Sequence, residues 1–170
     1  MSKNSPWGPV QNEEIINNSV ASVSTAGHGG IRVAFDYAIG SLSEEAREVS
    51  IRLGDFFYFE EDCNWAIVPW ELRTLLFKFF PDSPLPGEAL LEDLKTNIIR
   101  WNTEYALKTG LIGPGDPLPT DYTCKGRGPH YNVHSLKRSK LTGETVCTCG
   151  HVLLQDQTIA REDLANLFAE

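Results

Sequence analysis

Long apolar runs are missing from this chain. No segment approaches the ~18 consecutive apolar residues of a membrane-spanning helix, which excludes a helical membrane protein. The N-terminal stretch Met1-Ser2-Lys3-Asn4-Ser5-Pro6 lacks the apolar core of a signal peptide, so the expected compartment is the cytosol, and a protein made in the cytosol of a bacterial host fits equally well. Cysteine is scarce, with four residues (Cys63, Cys124, Cys147 and Cys149) in 170. In a reducing cytosol these are expected as thiols or metal ligands, and a disulfide scaffold is excluded. No internal repeat or low-complexity segment is present, which excludes a solenoid and a disordered linker protein.

The composition is that of a soluble globular chain, with 41% hydrophobic and 22% charged residues, and its length suits one domain with a small appendage. The net charge is −8 and unevenly spread. Residues 1–121 hold 9 Lys+Arg against 18 Asp+Glu, whereas 122–155 hold Lys125, Arg127, Lys137, Arg138 and Lys140 against Glu144 alone. The acidic body should repel nucleic acid; its charge serves solubility or docking on a basic host or phage protein, such as a nucleic-acid enzyme, and the basic tail could attract nucleic acid.

Alternating residues predict a strand over 20–25 and another over 31–35, joined by a turn at Gly27–Gly30 that carries His28. Ser41 and Ser43 are N-cap candidates for a helix running to about Arg52. Phe56-Phe57-Tyr58-Phe59 suits a buried strand. From Glu60 the three- and four-residue steps of Trp65, Val68, Leu72, Leu75, Leu76 and Phe79 predict helix, interrupted at Pro69. Leu91, Leu94, Ile98, Trp101 and Tyr105 form one stripe of a long helix over 88–108, stopped by Gly110. The predicted class is α+β, a small antiparallel sheet packed against two or three helices, with a C-terminal β-hairpin and short helix. The expected divisions are a main domain over 1–111, a proline- and glycine-rich linker over 112–121, and a small module over 122–170.

Two short segments concentrate chemistry. Ser24-Thr25-Ala26-Gly27-His28-Gly29-Gly30 sets an imidazole on a glycine-rich turn. An imidazole there can act as base or ligand, and the amides of Gly29 and Gly30, with Thr25 beside them, can receive an anion. A plain hairpin tip would use the same glycines. Glu60-Glu61-Asp62-Cys63-Asn64-Trp65 holds three adjacent carboxylates that need a compensating partner. A helix N-terminus is one such partner; a cation or a basic protein is another. These residues define a candidate catalytic set of His28, Glu60, Glu61 and Asp62, for a hydrolase or transferase. Cys63 is a weaker nucleophile candidate, because the acids beside it oppose a thiolate.

The order Trp7-Gly8-Pro9, then Ser24-Thr25-Ala26-Gly27-His28-Gly29-Gly30, then Tyr58-Phe59-Glu60-Glu61-Asp62-Cys63-Asn64-Trp65 resembles an uncharacterised domain family of phages and bacterial mobile elements, DUF7007, over about residues 6–80. The chain departs from the family pattern at Phe59 and Pro69. The resemblance implies a mobile-element setting without an assigned reaction. It favours an accessory protein that binds a host protein, with interference in host defence as a natural role.

In the tail, Cys124, His130, His134, Cys147, Cys149 and His151 fall within 28 positions. Cys147 and Cys149 with His151, closed by Cys124 or His134, could supply the four ligands of a structural zinc. Strand cysteines without metal fit the same pattern. A zinc-stapled module would make Lys125, Arg127, Lys137, Arg138 and Lys140 a nucleic-acid contact.

Overall fold

The computed structural model describes residues 4–113, 116–117, and the backbone of five short strands between 122 and 154. The chain divides into two compact units, 1–105 and 106–170.

In the first unit the chain opens with a short arm, β1 (Asn4–Ser5) and β2 (Gly8–Pro9), paired antiparallel. Strands β3 (Asn12–Asn17), β4 (Val20–Ser24) and β5 (Gly29–Ala34) then form a meander. Helices α1 (Phe35–Ser41) and α2 (Glu44–Glu48) follow, then β6 (Ile51–Leu53) and β7 (Phe56–Glu60). The five-stranded antiparallel sheet runs β3-β4-β5-β7-β6. After it come α3 (Ile67–Glu71), a 3-10 turn at Arg73–Leu75, α4 (Leu76–Phe79) and α5 (Gly87–Trp101). The α+β class predicted from the sequence is the class observed.

Register explains how the sheet hides both faces. Arg32 lies opposite Tyr58 and Ala21, so these side chains share one face; Ile31 lies opposite Phe59 and Ser22 on the other. The first face is covered by the arm, where the Trp7 ring meets Tyr58 edge-on at 5.9 Å and the Tyr58 hydroxyl donates to the Asn4 carbonyl at 3.3 Å. On it Arg32, although buried, pairs with Glu13 and lies over the Phe56 ring. On the second face Phe79 and Phe80, at the end of α4, line a cleft with Ile31. Tyr58, Phe59, Ile67, Val68, Leu94 and Ile98 are fully buried; of the expected helical stripe over 88–108, Leu94, Ile98 and Tyr105 are buried, Leu91 is half-buried and Trp101 is exposed.

Four local expectations differ from what is observed. Strand β5 begins at Gly29, two residues before the alternation starts, because Gly29 and Gly30 pair with Ser24 and Val23. Glycine adds no period-2 signal, so this part of the strand is silent in the sequence. Glu60 ends β7 rather than starting a helix, and residues 61–66 are turns before α3. The Glu60 carbonyl accepts from the amides of Cys63, Asn64 and Trp65, a tight turn that the helix-like spacing of the apolar residues conceals. The long helix breaks at Asn102, before α6 (Thr103–Lys108). There the backbone amide of Asn102 makes the last helical bond, to the Ile98 carbonyl at 2.7 Å, while its side-chain Nδ2 donates to the Cys63 carbonyl at 2.6 Å. Finally, α2 is capped by Ser43, whose hydroxyl accepts from the Ala46 amide at 3.1 Å, and ends by Val49. The residues expected to continue it form β6 instead. Gly54, at φ +59°, takes the first position of the two-residue loop to β7, where hairpins favour glycine.

A half-buried carboxylate ties the helices together. Glu71 accepts from the Ser43 amide at 2.7 Å, the Ser43 hydroxyl at 2.5 Å and the Tyr105 hydroxyl at 2.7 Å.

In the second unit Gly110, at φ +73°, stops α6 as expected, and the Ile112 amide reaches back to the Ala106 carbonyl at 3.1 Å. Strand β8 (Tyr122–Cys124) pairs with β9 (Asn132–His134), and β10 (Leu136–Arg138), β11 (Thr145–Cys147) and β12 (Val152–Leu154) form a three-stranded antiparallel ladder. The short helix predicted near the C-terminus lies outside the described residues.

Candidate functional site

The three sequence islands meet at one end of β5 and β7. Trp7 lies against Gly30, where a Cβ would come within 2.6 Å of the indole ring and closer still to the Phe59 carbonyl oxygen. At Gly29 a Cβ would fall 2.5 Å from Glu61 Oε2. Neither glycine has a positive φ, so close approach and not left-handed backbone requires them. Both are buried in the sheet, and the open turn shrinks to residues 25–28. Thr25 is its clasp. Its amide and hydroxyl both donate to the His28 carbonyl, at 2.8 and 2.9 Å, and its hydroxyl accepts from the His28 amide at 3.2 Å.

This clasp carries His28 to β7, where its Nδ1 lies 3.3 Å from Glu60 Oε1. The other Glu60 oxygen, Oε2, is 3.4 Å from Cys63 Sγ. The loop that positions them is held from beneath. Buried Asn64 accepts from the Glu60 amide at 2.6 Å and donates to the Val49 carbonyl at 2.5 Å, while Asn102 holds the Cys63 carbonyl. Thus His28 and Glu60 come together, with Cys63 beside them. Glu61 turns away to lie over Gly29, and Asp62 is exposed with no described partner for its side chain.

The order of this cluster limits its chemistry. In a nucleophile relay the imidazole stands between nucleophile and carboxylate. Here the carboxylate takes the middle place, one oxygen toward the imidazole and the other toward the thiol, and this negative neighbour disfavours the thiolate. The His28 side chain is 53% exposed and that of Glu60 28%, so solvent screens the pair.

A separate cleft of about 200 Å³ opens on the sheet's second face. Ser22, Ser24 and Ile31 form its floor, Trp65, Phe79 and Phe80 its aromatic wall, and Glu14 and Glu61 add two carboxylates. Trp65 and Phe80 meet edge to face at 6.1 Å. Of these residues the sequence motifs pointed to Glu61 and the loop around Trp65. Phe79 was read only as part of a helical apolar pattern, and Glu14 and Phe80 carried no signal, since an edge strand and a short helix meet here through tertiary packing.

Among the described residues no three His, Cys, Asp or Glu side chains gather to hold a metal, and no helix is long and apolar enough to cross a membrane. Of the tail candidates, Cys124 and His134 fall on the β8–β9 ladder, and Cys147, Lys137 and Arg138 on the β10–β11–β12 ladder. Cys149, His151, Lys125, Arg127 and Lys140 lie outside the described residues.

No curated protein and no solved structure matches the chain. The family described as a domain of unknown function, DUF7007, matches residues 1–105, which is the first compact unit. Its match spans all three motif islands and the helices that support them, and the chain belongs to the DUF7007 family.

Proposed function

We propose that this domain is a protein-binding module, an accessory protein of a phage or mobile element that docks on a basic surface of a host protein and thereby counters host defence. The observation that carries the reading is the disposition of charge. Over residues 1–105 there are 8 Lys+Arg against 16 Asp+Glu, and the arginines are largely spent on the fold itself. Arg32 pairs with Glu13, and Arg47 donates to the carbonyls of Ala38, Ile39 and Leu42. Arg52, Arg73 and Arg100 lie over Phe35, Trp70 and Trp101. The surplus acids are left to attract a cationic partner, which favours fast association and a strong salt dependence.

The test is affinity capture from a bacterial host lysate, followed by reconstitution with the purified partner. The expected result is one stoichiometric basic protein whose affinity falls steeply between roughly 50 and 300 mM salt, as the Debye length shortens. A partner held equally well at both salt concentrations, or no partner in reconstitution, refutes the reading.

A second reading rests on the 3.3 Å approach of His28 to Glu60. In it His28 is the base and Glu60 orients it, in a small hydrolase or transferase that acts at the exposed turn. Glu61 and Asp62, the other carboxylates of the candidate set, would serve as acid or substrate contacts. A hydrolytic activity that survives His28→Gln would remove this reading. A third places zinc on Cys124, His134, Cys147, Cys149 and His151, with the basic tail on nucleic acid.

A further inference from the structure

We infer that the cleft between the sheet and α4 seats one arginine side chain of a protein partner. The inference deepens the protein-binding reading and rests on it.

The size of the cleft comes first. At about 200 Å³ it is smaller than the ~300–1,000 Å³ of most small-molecule pockets, and it equals the share of roughly seven waters at ~30 Å³ each. That is room for one long side chain.

The lining then selects its chemistry. Trp65, Phe79 and Phe80 present ring surfaces, whose negative faces attract a cation. Trp65 and Phe80 already satisfy each other edge to face, which leaves an angled aromatic wall and not a closed stack. Glu14 and Glu61 add two carboxylates, both exposed and neither with a described side-chain partner. Among the described residues no Lys or Arg lines the cleft, so the described lining does not neutralise the charge there. Ser22 and Ser24 offer hydroxyl acceptors beneath.

A planar guanidinium satisfies this set better than an ammonium. It stacks on a ring while its edge donates in a fork to carboxylates and hydroxyls, and it gives up its hydration more readily. Gly29 fits the same account. Without a Cβ it lets the Glu61 carboxylate lie down on β5 at the cleft, 2.5 Å from where a Cβ would be.

The probe is a blocked pentapeptide with one arginine among glycines and serines, titrated into the ¹⁵N-labelled full chain. Three comparisons accompany it: the same peptide with citrulline, the same peptide with lysine, and the Glu14→Gln/Glu61→Gln variant. The expected result is saturable shifts of the Trp65 indole and of amides around Ser22 and Phe80. The double variant should bind roughly tenfold more weakly, since each charged hydrogen bond contributes strongly. The citrulline peptide should not bind, and the lysine peptide should bind more weakly than arginine. Shifts centred elsewhere, equal binding of citrulline, or full affinity in the double variant overturn the site. Equal binding of lysine overturns the choice of arginine. A captured basic protein that binds the double variant as it binds the native chain rejects the cleft and keeps the protein-binding reading. An arginine peptide seated in the cleft, with no protein captured, rejects that reading and keeps the cleft.

Discussion

Adding one methyl group at Gly30 and one at Gly29 should give opposite results, although the two are neighbours in one motif. In Gly30→Ala the Cβ runs into the carbonyl of Phe59, in the adjacent central strand, and comes within 2.6 Å of the Trp7 ring. A backbone carbonyl in the middle of a five-stranded sheet cannot step aside without parting β5 from β7 or expelling the arm. Overpacking of this kind costs typically 1–3 kcal/mol and occasionally more. With backbone as the obstacle, about 3 kcal/mol is expected, less the ~0.4–1 kcal/mol gained by restricting the unfolded chain. In Gly29→Ala the nearest obstacle is the Glu61 carboxylate, the end of an exposed flexible side chain, and the Val23 carbonyl at 3.2 Å need yield by only a few tenths of an ångström. That cost and the same entropic gain should cancel to within about 1 kcal/mol. Urea unfolding of the two variants beside the native chain reads the difference. At an m-value near 2 kcal/mol/M, Gly30→Ala should lower the midpoint by about 1 M or more and Gly29→Ala by less than about 0.5 M. Equal midpoints for the two variants, or a Gly30→Ala midpoint at the native value, would refute the claim that Gly30 is required by its neighbours. Gly29→Ala has a second use, because it should displace Glu61 and weaken arginine binding while the fold stays intact.

Ser43→Ala removes both the α2 cap and the hydroxyl's bond to Glu71, leaving only the backbone amide on that carboxylate, and should cost about 2 kcal/mol in thermal or urea unfolding; a change below about 0.5 kcal/mol would discount the Glu71 hub. Burial, and next the hydrogen bond from its hydroxyl to Glu71, raise the Tyr105 phenol above its usual value. The folded state therefore holds this proton where the unfolded chain, near pH 10, releases it, so its contribution is complete below about pH 10 and is lost as pH rises beyond. Tyr105→Phe should flatten that alkaline loss in melts between roughly pH 8 and 11, and an unchanged slope would show that Tyr105 does not cause it. His28→Ala, which removes a half-exposed pair, should cost less than about 1 kcal/mol; a larger loss would mean that the imidazole supports the fold. Glu60→Gln removes the negative neighbour of Cys63 and should speed its alkylation, followed by peptide mass mapping, whereas an unchanged rate would show that Glu60 does not restrain the thiol.

The legible part of this fold was the part written in period. Val20 to Ser24 alternates, and of the expected stripe Leu91, Leu94, Ile98, Trp101 and Tyr105 the helices bury Leu94, Ile98 and Tyr105 but leave Leu91 half-buried and Trp101 exposed; Phe56 to Phe59 was legible instead as an aromatic run suited to a buried strand. What escaped was set by single polar side chains. Asn102 ends α5 to hold Cys63, and nothing in a stripe that continues to Tyr105 reveals the break. Asn64 likewise converts a helix-like spacing into turns by capturing the Glu60 amide. Strand β6 was hidden for a different reason: Ile51 and Leu53 are exposed on a three-residue edge, too short to outweigh the helical character of Glu44–Glu48 before them.

The candidate site shows the same division. Its motif islands were visible as unusual residue types, yet their meaning depended on geometry that the residue types do not encode. The glycines read as freedom for a turn and are used as absence of volume, Gly30 for Trp7 and Gly29 for Glu61. The three acids read as one cluster and are used separately: Glu60 faces His28, Glu61 faces the aromatic cleft, and Asp62 faces solvent. Strand alternation is the cause. Glu60 closes β7 and Glu61, whose amide still pairs with the Gly29 carbonyl, leaves the opposite face, while Asp62 lies in the turn beyond, so the three adjacent carboxylates do not converge. The same alternation that scatters them for catalysis gives each face of the sheet its own acidic group, an arrangement suited to meeting a basic surface and poorly suited to concentrating charge on one reacting atom.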